Sequence, residues 1–284
     1  MALNFKTLGI RTLSAAVFVF LLLGSVYFGY SAFTVFFFIT AWGALREFYN
    51  LARHMGTAPF EKTGLVLGIV LYVSFINWPL LFGPGTWSTE HLRIPVILCI
   101  VLLTLLMALL RPGVKKLNNA IYTLAGLLYT VFPFALLHDL VIEDLSGTSQ
   151  YYPNVLIGII FLIWCNDTCA YLGGSLFGKH KLAPSISPGK TIEGTAIGIM
   201  LSLALGIPIA HWLDLEVNRL WMSLSLIVPV LATAGDLLES LIKRRAGVKD
   251  SGNLMPGHGG FLDRFDSLIF AGPFVLLLLK LSEL

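Results

Sequence analysis

Residues 94–110 read IPVILCIVLLTLLMALL, an apolar run without a single charged side chain. A helix needs about 20 mainly apolar residues to cross a bilayer, and runs close to this length recur along the 284-residue chain. Hydrophobic residues make up 56% of the chain and charged residues 12%, whereas a soluble domain usually has about 25% charged residues. These features predict an all-α polytopic membrane protein, a bundle of about nine transmembrane helices that forms one integral membrane domain.

The apolar runs predict spans at residues 10–29, 31–50, 64–83, 94–110, 120–142, 154–174, 194–213, 220–242 and 267–283. The first run follows Lys6 and Arg11 but lacks a convincing small-residue cleavage site. We therefore interpret it as a retained helix and not as a signal peptide. The chain is further predicted to divide into an N-terminal half, residues 1–150, and a catalytic C-terminal region, residues 151–284, which contains the polar motifs.

Lys and Arg predict the orientation, because the cytoplasmic loops of membrane proteins collect these residues. With the N-terminus inside, sixteen of the 19 Lys and Arg residues fall in inside segments, and the outside keeps Arg93, Arg219 and Lys280. The N-terminus is therefore predicted to be cytoplasmic, and the long segments 175–193 and 243–266 are predicted to be cytoplasmic loops. The short loops are typical of a bacterial protein, which predicts a location in the inner (plasma) membrane with the motifs facing the cytoplasm.

Three carboxylates lie within the predicted spans, those of Asp167, Asp236 and Glu239. A charged group at membrane depth costs a few kcal/mol or more, so such residues are candidates for a functional role. Asp236 and Glu239 are three positions apart and share a helix face. Lys243 follows Glu239 by four positions, which leaves an ion pair at the helix end as the alternative for Glu239.

Asp263 and Asp266, in the segment 243–266, are expected at the same membrane edge as Asp167 and Asp236. Clustered carboxylates repel one another unless a cation lies among them, and hard oxygen ligands suit Mg²⁺. The basic residues expected around them are Lys179, Lys181, Lys190, Lys243, Arg244, Arg245, Lys249 and Arg264. Carboxylates for a metal, cations for phosphate and glycines for close backbone approach together indicate phosphoryl or nucleotidyl transfer.

Residues 174–195 read GSLFGKHKLAPSISPGKTIEGT. Gly189, Lys190 and Thr191 resemble the end of a P-loop, but the spacing fails because Pro184 stands where that motif needs glycine. Thr191 or a neighbouring residue is predicted to cap the seventh helix, whose N-terminus then offers N–H groups to a phosphate. The alternative is a basic loop that contacts anionic lipid headgroups.

Residues 240–267 read SLIKRRAGVKDSGNLMPGHGGFLDRFDS. This segment resembles the signature of the phosphatidate cytidylyltransferase family, in which S-x-[apolar]-K-R and K-D precede P-x-H-G-G-x-x-D-R-x-D. Every fixed position of that pattern is filled. The resemblance extends to DTCAY at 167–171, FGKHKLAPSISPGKTIEG at 177–194 and GDLLES at 235–240, and it covers the C-terminal half of the chain rather than the first five spans.

The resemblance implies that the protein converts CTP and phosphatidic acid into CDP-diacylglycerol and pyrophosphate. It also implies a homodimer of helical bundles with a funnel open to the cytoplasm, and a site that holds Mg²⁺ and a second cation such as K⁺. No nucleic acid is expected as a partner. In the resulting hypothesis, Asp236 and Asp263 bind Mg²⁺, and Asp167 and Asp266 complete or support the metal site.

The other predicted site residues are expected to bind the substrates. Lys190, Lys249 and Arg264 are expected to neutralise the triphosphate and the leaving pyrophosphate. The predicted substrate-binding residues are Lys179, Lys181, Ser187, Thr191, Lys243, Arg244, Gly259 and Gly260. Asp250 and His258 are further catalytic candidates, and for His258 the roles of general acid, phosphate ligand and turn residue all stay open.

Three other functions fit parts of the pattern. A related CTP-using membrane enzyme, such as a polyprenol kinase or an archaeal-lipid cytidylyltransferase, would keep the chemistry and change the lipid. An ion-coupled transporter also carries intramembrane acids, but such acids lie at the membrane midplane between inverted repeats, and no inverted repeat is visible in this sequence. A non-catalytic lipid-binding relative would be expected to have lost signature acids, and none is missing here.

Overall fold

The computed structural model describes residues 5–83, 85–110, 115–145, 148–253 and 259–282. Helices dominate these ranges. They are α1 (Phe5–Tyr27), α2 (Tyr30–His54), α3 (Glu61–Val73), α4 (Trp78–Phe82), α5 (Arg93–Leu110), α6 (Lys116–Gly126), α7 (Phe132–Leu140), α8 (Asn154–Phe177), α9 (Ile192–Trp212), α10 (Arg219–Arg245) and α11 (Leu262–Ser282). A 3₁₀ turn at Glu90–Leu92 precedes α5, and a π-helical turn at Leu127–Val131 joins α6 to α7.

Six helical stretches in the described ranges are long and apolar enough to cross a membrane. They are Glu90–Leu110, Lys116–Leu140, Asn154–Phe177, Ile192–Trp212, Arg219–Arg245 and Leu262–Ser282. A shorter apolar stretch, Thr12–Tyr27, lies in α1. The length and composition of these helices confirm the prediction of a helical, integral membrane protein. Each of the six stretches overlaps a predicted span.

The predicted third span, 64–83, is wrong as a single helix. Helix α3 ends at Val73 and the short α4 begins only at Trp78. Asn77 caps α4, because its side-chain oxygen accepts a hydrogen bond from the amide of Leu80 (3.2 Å). Pro79 lies in the first turn, where a missing amide hydrogen costs nothing. Asparagine and proline therefore start a new helix where hydropathy alone indicates continuation.

The predicted cytoplasmic loops contain more regular structure than expected. Helix α8 continues to Phe177, and the antiparallel strands β3 (Lys181–Ala183) and β4 (Ser187–Thr191) lie within the segment 175–193. A second antiparallel hairpin pairs β1 (Ile142–Leu145) with β2 (Thr148–Tyr151). These hairpins are the departure from the all-α prediction.

Helices also enter the predicted loop 243–266 from both sides. Helix α10 ends at Arg245, where Gly247 adopts the left-handed conformation (φ 72°) that commonly follows a helix C-terminus. Helix α11 begins at Leu262, so Asp263 and Asp266 lie in its first turns and not in a loop. Acidic side chains are favourable there because the N-terminal end of a helix carries partial positive charge.

The chain forms two compact units, Met1–Tyr151 with Arg245–Phe265, and Tyr152–Arg244 with Asp266–Leu284. In the first unit, α2 lies at the centre of an aromatic core. The ring of Phe265 packs edge-on against Phe37 and Phe134, with ring centroids 6.0 and 5.4 Å apart. Residues 245–265, which belong to the predicted catalytic region by sequence, therefore pack with the N-terminal half.

The second unit is organised by close contacts between helices. A Cβ atom at Gly194 of α9 would lie 2.6 Å from the carbonyl oxygen of Ala170 in α8, and one at Gly198 would lie 2.8 Å from that of Asn166. Small residues let helix backbones approach in this way where lipid removes the hydrophobic drive for association. The α8–α9 pair thereby forms one wall of the candidate site.

Candidate active site

A cavity of about 590 Å³ opens in the second unit. Its walls come from the C-terminal half of α8, the β3–β4 hairpin, the start of α9 and the middle of α10. Six of the predicted site residues line it: Asp167, Lys181, Ser187, Lys190, Thr191 and Asp236. The fold thus brings predicted site residues that are up to 69 positions apart in sequence to one water-accessible space, as a nucleotide site requires.

The hairpin is held to the first turn of α9 by two side chains. Thr191 caps α9, because its Oγ1 accepts a hydrogen bond from the amide of Gly194 (3.2 Å), which confirms the predicted cap. The Glu193 carboxylate accepts hydrogen bonds from the amides of Lys179 (3.0 Å) and His180 (3.1 Å), and it lies 2.6 Å from His180 Nδ1. These contacts set the position of the strand that carries Lys190.

Lys190 and Asp236 form an ion pair across the cavity wall, with Nζ 2.5 Å from Oδ2. Both side chains are half-buried and both line the cavity. Ser240, one turn further along α10, donates a hydrogen bond to the other oxygen of Asp236 (3.3 Å). A predicted phosphate-binding cation and a predicted metal ligand therefore neutralise each other in this structure.

Asp236 also belongs to a cluster of three carboxylates with Glu239 and Asp266, whose ligand oxygens all lie within 4.8 Å of one another. Glu239 is only 1% exposed, and its Oε2 lies 2.5 Å from Lys243 Nζ. The ion pair left open as the alternative for Glu239 is thus confirmed. Lys190 and Lys243 each pair with one of these carboxylates. Three hard oxygen donors this close together are also ligands that suit a divalent cation such as Mg²⁺.

Asn166 connects α8 to α10 and contacts the neighbouring Asp167. Asn166 is 1% exposed, and its side-chain amide donates to Thr233 Oγ1 (3.4 Å) on α10 and to Asp167 Oδ1 (3.3 Å). Asp167 is itself exposed on the cavity wall, and the three-carboxylate cluster does not include it. A buried amide therefore holds Asp167, and its predicted role as a metal ligand stays a prediction.

Asp263, in the first unit, organises the signature segment. Its Oδ2 accepts hydrogen bonds from the amides of Ser251 and Gly260 and from the Ser251 hydroxyl, each at 2.8 Å. Gly259 has a left-handed backbone (φ 79°), and a Cβ there would collide with the Asp263 carboxylate. The glycines predicted to approach a substrate thus approach a carboxylate of their own chain, and the metal role of Asp263 stays a prediction.

The remaining predicted residues are mostly at the surface. Lys179, Lys249, Asp250 and Arg264 are exposed. Arg244 is also exposed, and its Nε donates to the carbonyl of Ile186 in the β3–β4 turn (3.2 Å). His258 lies outside the described residues, so its role stays a prediction, as do the roles of the exposed residues.

Two acids in these contacts were not assigned to the metal or substrate site from the sequence, Glu239, which was a candidate with an ion pair as its alternative, and Glu47. Glu239 stands three positions from Asp236, and this spacing was a signal that it belongs with the metal candidates. Glu47 lies in α2, 204 positions before Ser251 of the signature, and nothing in the local sequence marks it; it nevertheless accepts hydrogen bonds from the signature segment.

Comparison with known proteins agrees with this chemistry. The model of the cytidylyltransferase family matches residues 9–282. A protein named phosphatidate cytidylyltransferase from Staphylococcus haemolyticus (strain JCSC1435) is 31% identical over 272 residues, which cover 95% of this chain and 98% of the relative. One of the same name from Staphylococcus aureus (strain COL) is 32% identical over the same lengths. The match runs through both units and confirms the resemblance of the signature, and the chain therefore belongs to the cytidylyltransferase family.

Proposed function

We propose that the protein is a phosphatidate cytidylyltransferase, which transfers the cytidylyl group of CTP to phosphatidic acid and releases pyrophosphate and CDP-diacylglycerol. The observation that carries the proposal is the cavity in which Lys190 is paired with Asp236 beside two further carboxylates. Such a site can take an anionic nucleotide and a divalent cation together. It lies in an apolar, helical chain whose full-length relatives bear that name.

The reaction needs charge neutralisation more than a base. A phosphate oxygen of phosphatidic acid is already an anion, and it forms a bond to the α-phosphorus of CTP while the bond from that phosphorus to the bridging oxygen of pyrophosphate breaks. The enzyme must hold the two anions in line and offset their repulsion. Lys190 and Lys181 supply positive charge at the cavity wall, and Ser187 and Thr191 supply hydroxyl groups beside them.

The metal is part of the proposal. Asp236, Glu239 and Asp266 would hold Mg²⁺, and the bound ion would supply positive charge to the triphosphate. Lys190 would leave Asp236 when that carboxylate takes the cation, and its ammonium group would then bind phosphate. Asp263 as a further ligand, Asp167 as support and a second cation such as K⁺ also belong to the proposal.

The test measures which phosphate of CTP is transferred to the lipid. Purified protein in mixed micelles receives phosphatidic acid, Mg²⁺ and CTP labelled at either the α- or the γ-phosphate. We expect label in the organic phase from α-labelled CTP alone, and none when EDTA removes the metal. Lipid-soluble label from γ-labelled CTP would indicate a kinase instead. No label from either form of CTP would contradict the proposal, provided that a thermal denaturation transition shows the protein to be folded. Polyprenyl phosphate as the acceptor tests the alternative lipid.

We also propose the finer topology: about nine spans, a cytoplasmic N-terminus, an active site that faces the cytoplasm, and a homodimer in a bacterial plasma membrane. The distribution of Lys and Arg and the bacterial relatives support it. Alkaline phosphatase fused after Leu284 is expected to be active, because the C-terminus is then outside. A fluorescent C-terminal fusion to green fluorescent protein, together with an inactive phosphatase fusion, would contradict the orientation.

Native mass spectrometry tests the proposed homodimer, and the mass of a single chain would contradict it.

A further inference from the structure

The Glu47 carboxylate of α2 binds the signature segment at Ser251 and at Phe261 and Leu262. Its Oε1 accepts a hydrogen bond from the amide of Phe261 (2.9 Å), and its Oε2 accepts one from the amide of Leu262 (2.9 Å). Helix α11 begins at Leu262, so these two amides belong to a helix start, where N–H groups have no partner within the helix. A carboxylate at this position is favoured by the helix dipole as well as by the hydrogen bonds.

Ser251 connects Glu47 to Asp263. The Ser251 hydroxyl lies 2.9 Å from Glu47 Oε2 and 2.8 Å from Asp263 Oδ2, and the residue is only 3% exposed. A hydroxyl has a single hydrogen to donate, so the two carboxylates share it. Backbone amides also offset their charge, two at Glu47 and two at Asp263. The Ser251 hydroxyl thus bridges the carboxylates of Glu47 in α2 and Asp263 in α11.

Glycines beside these contacts leave space for the Glu47 carboxylate. A Cβ atom at Gly252 or at Gly260 would collide with the carboxylate group of Glu47. One turn earlier in α2, Gly43 leaves room for the Phe261 ring, which a Cβ there would also meet. These three glycines therefore clear space for the contacts of α2 with residues 251–252 and 260–262.

We infer that Glu47 is a positioning residue for the proposed reaction. It fixes Ser251 and the first turn of α11, and thereby the side chains of Asp263 and Arg264. This inference rests on the proposed function for the reaction, whereas the anchoring itself can be measured without it. A carboxylate is needed because a glutamine offers one acceptor oxygen, and its NH₂ group would face the amide of Phe261 or Leu262, donor against donor. Glu47 acts on the segment and not on a substrate.

The test compares Glu47→Gln with Glu90→Gln, which makes the same change on a side chain that is 71% exposed. In Glu47→Gln we expect kcat for cytidylyl transfer to fall about a hundredfold, as small misplacements of reacting groups do, with the KM for CTP changed much less. Hydrogen exchange in peptides that cover residues 259–265 is expected to be about tenfold faster, because one hydrogen bond is lost. The midpoint of thermal denaturation in detergent shows that the variant is folded.

Ser251→Ala provides the second variant. It is expected to speed exchange in the same peptides and to lower kcat, and the double variant is expected to lose little more than the worse single variant, because both act through one contact. Unchanged exchange and unchanged kcat in Glu47→Gln would overturn the inference, and so would lost activity with unchanged exchange. If Glu47→Gln does not fold, Ser251→Ala decides by the same two measurements. A wild-type protein without transfer activity would overturn the proposed function, while the exchange data would still test the anchoring.

Discussion

Replacement of Asp236 by asparagine is expected to lower kcat for cytidylyl transfer by roughly a thousandfold, which corresponds to a loss of several kcal/mol of charge stabilisation in the transition state. Asparagine has nearly the same shape and still accepts a hydrogen bond from Ser240. It removes the charge that pairs with Lys190 and that completes the cluster with Glu239 and Asp266. The loss is therefore expected in a folded, membrane-inserted protein and is measured with α-labelled CTP at saturating substrate.

The matched control is Asp214→Asn, which makes the same change on an exposed residue after α9. Asp214 has a left-handed backbone (φ 51°), which asparagine also tolerates. The control is expected to keep wild-type kcat and KM. Normal turnover in Asp236→Asn, with the control equally active, would exclude Asp236 as a metal ligand.

Replacement of Gly194 by alanine is expected to destabilise the second unit by about 3 kcal/mol, the upper part of the usual range for overpacking. The new Cβ would lie 2.6 Å from the carbonyl oxygen of Ala170 and 2.8 Å from the Cα atom of Gly174, and both are backbone atoms that cannot rotate away. Helices α8 and α9 must therefore move apart. Both helices line the cavity, so activity is expected to fall with stability.

Thermal denaturation in detergent measures this effect, and Gly24→Ala is the control. A Cβ at Gly24 meets only the Phe28 ring, at 3.6 Å, which is an ordinary contact. The control is expected to unfold within a few degrees of the wild type. Equal denaturation midpoints for Gly194→Ala and the wild type would contradict the close α8–α9 contact, because they would show that it accommodates a methyl group at residue 194.

Features that depend on neighbouring residues could be predicted from the sequence. The charge-free run at 94–110 forms most of α5, because sixteen of its seventeen side chains are apolar and a helix is the favourable conformation of such a run in lipid. The Thr191 cap and the Glu239–Lys243 pair were also predictable, since their partners lie three and four positions away. The signature at 240–267 indicates the family by its residues alone, and the family match confirms it.

The tertiary structure decided which of these residues meet. It paired Lys190 with Asp236 at 2.5 Å, although the two lie on different elements 46 positions apart. It joined Glu47 to Ser251 across 204 positions, in a half of the chain that the signature does not reach. Local patterns are readable because helix geometry fixes the distance between near neighbours. Contacts across hundreds of positions depend on the path of the chain and on close packing of backbones at glycines such as Gly194 and Gly260, and no spacing in the sequence encodes that path.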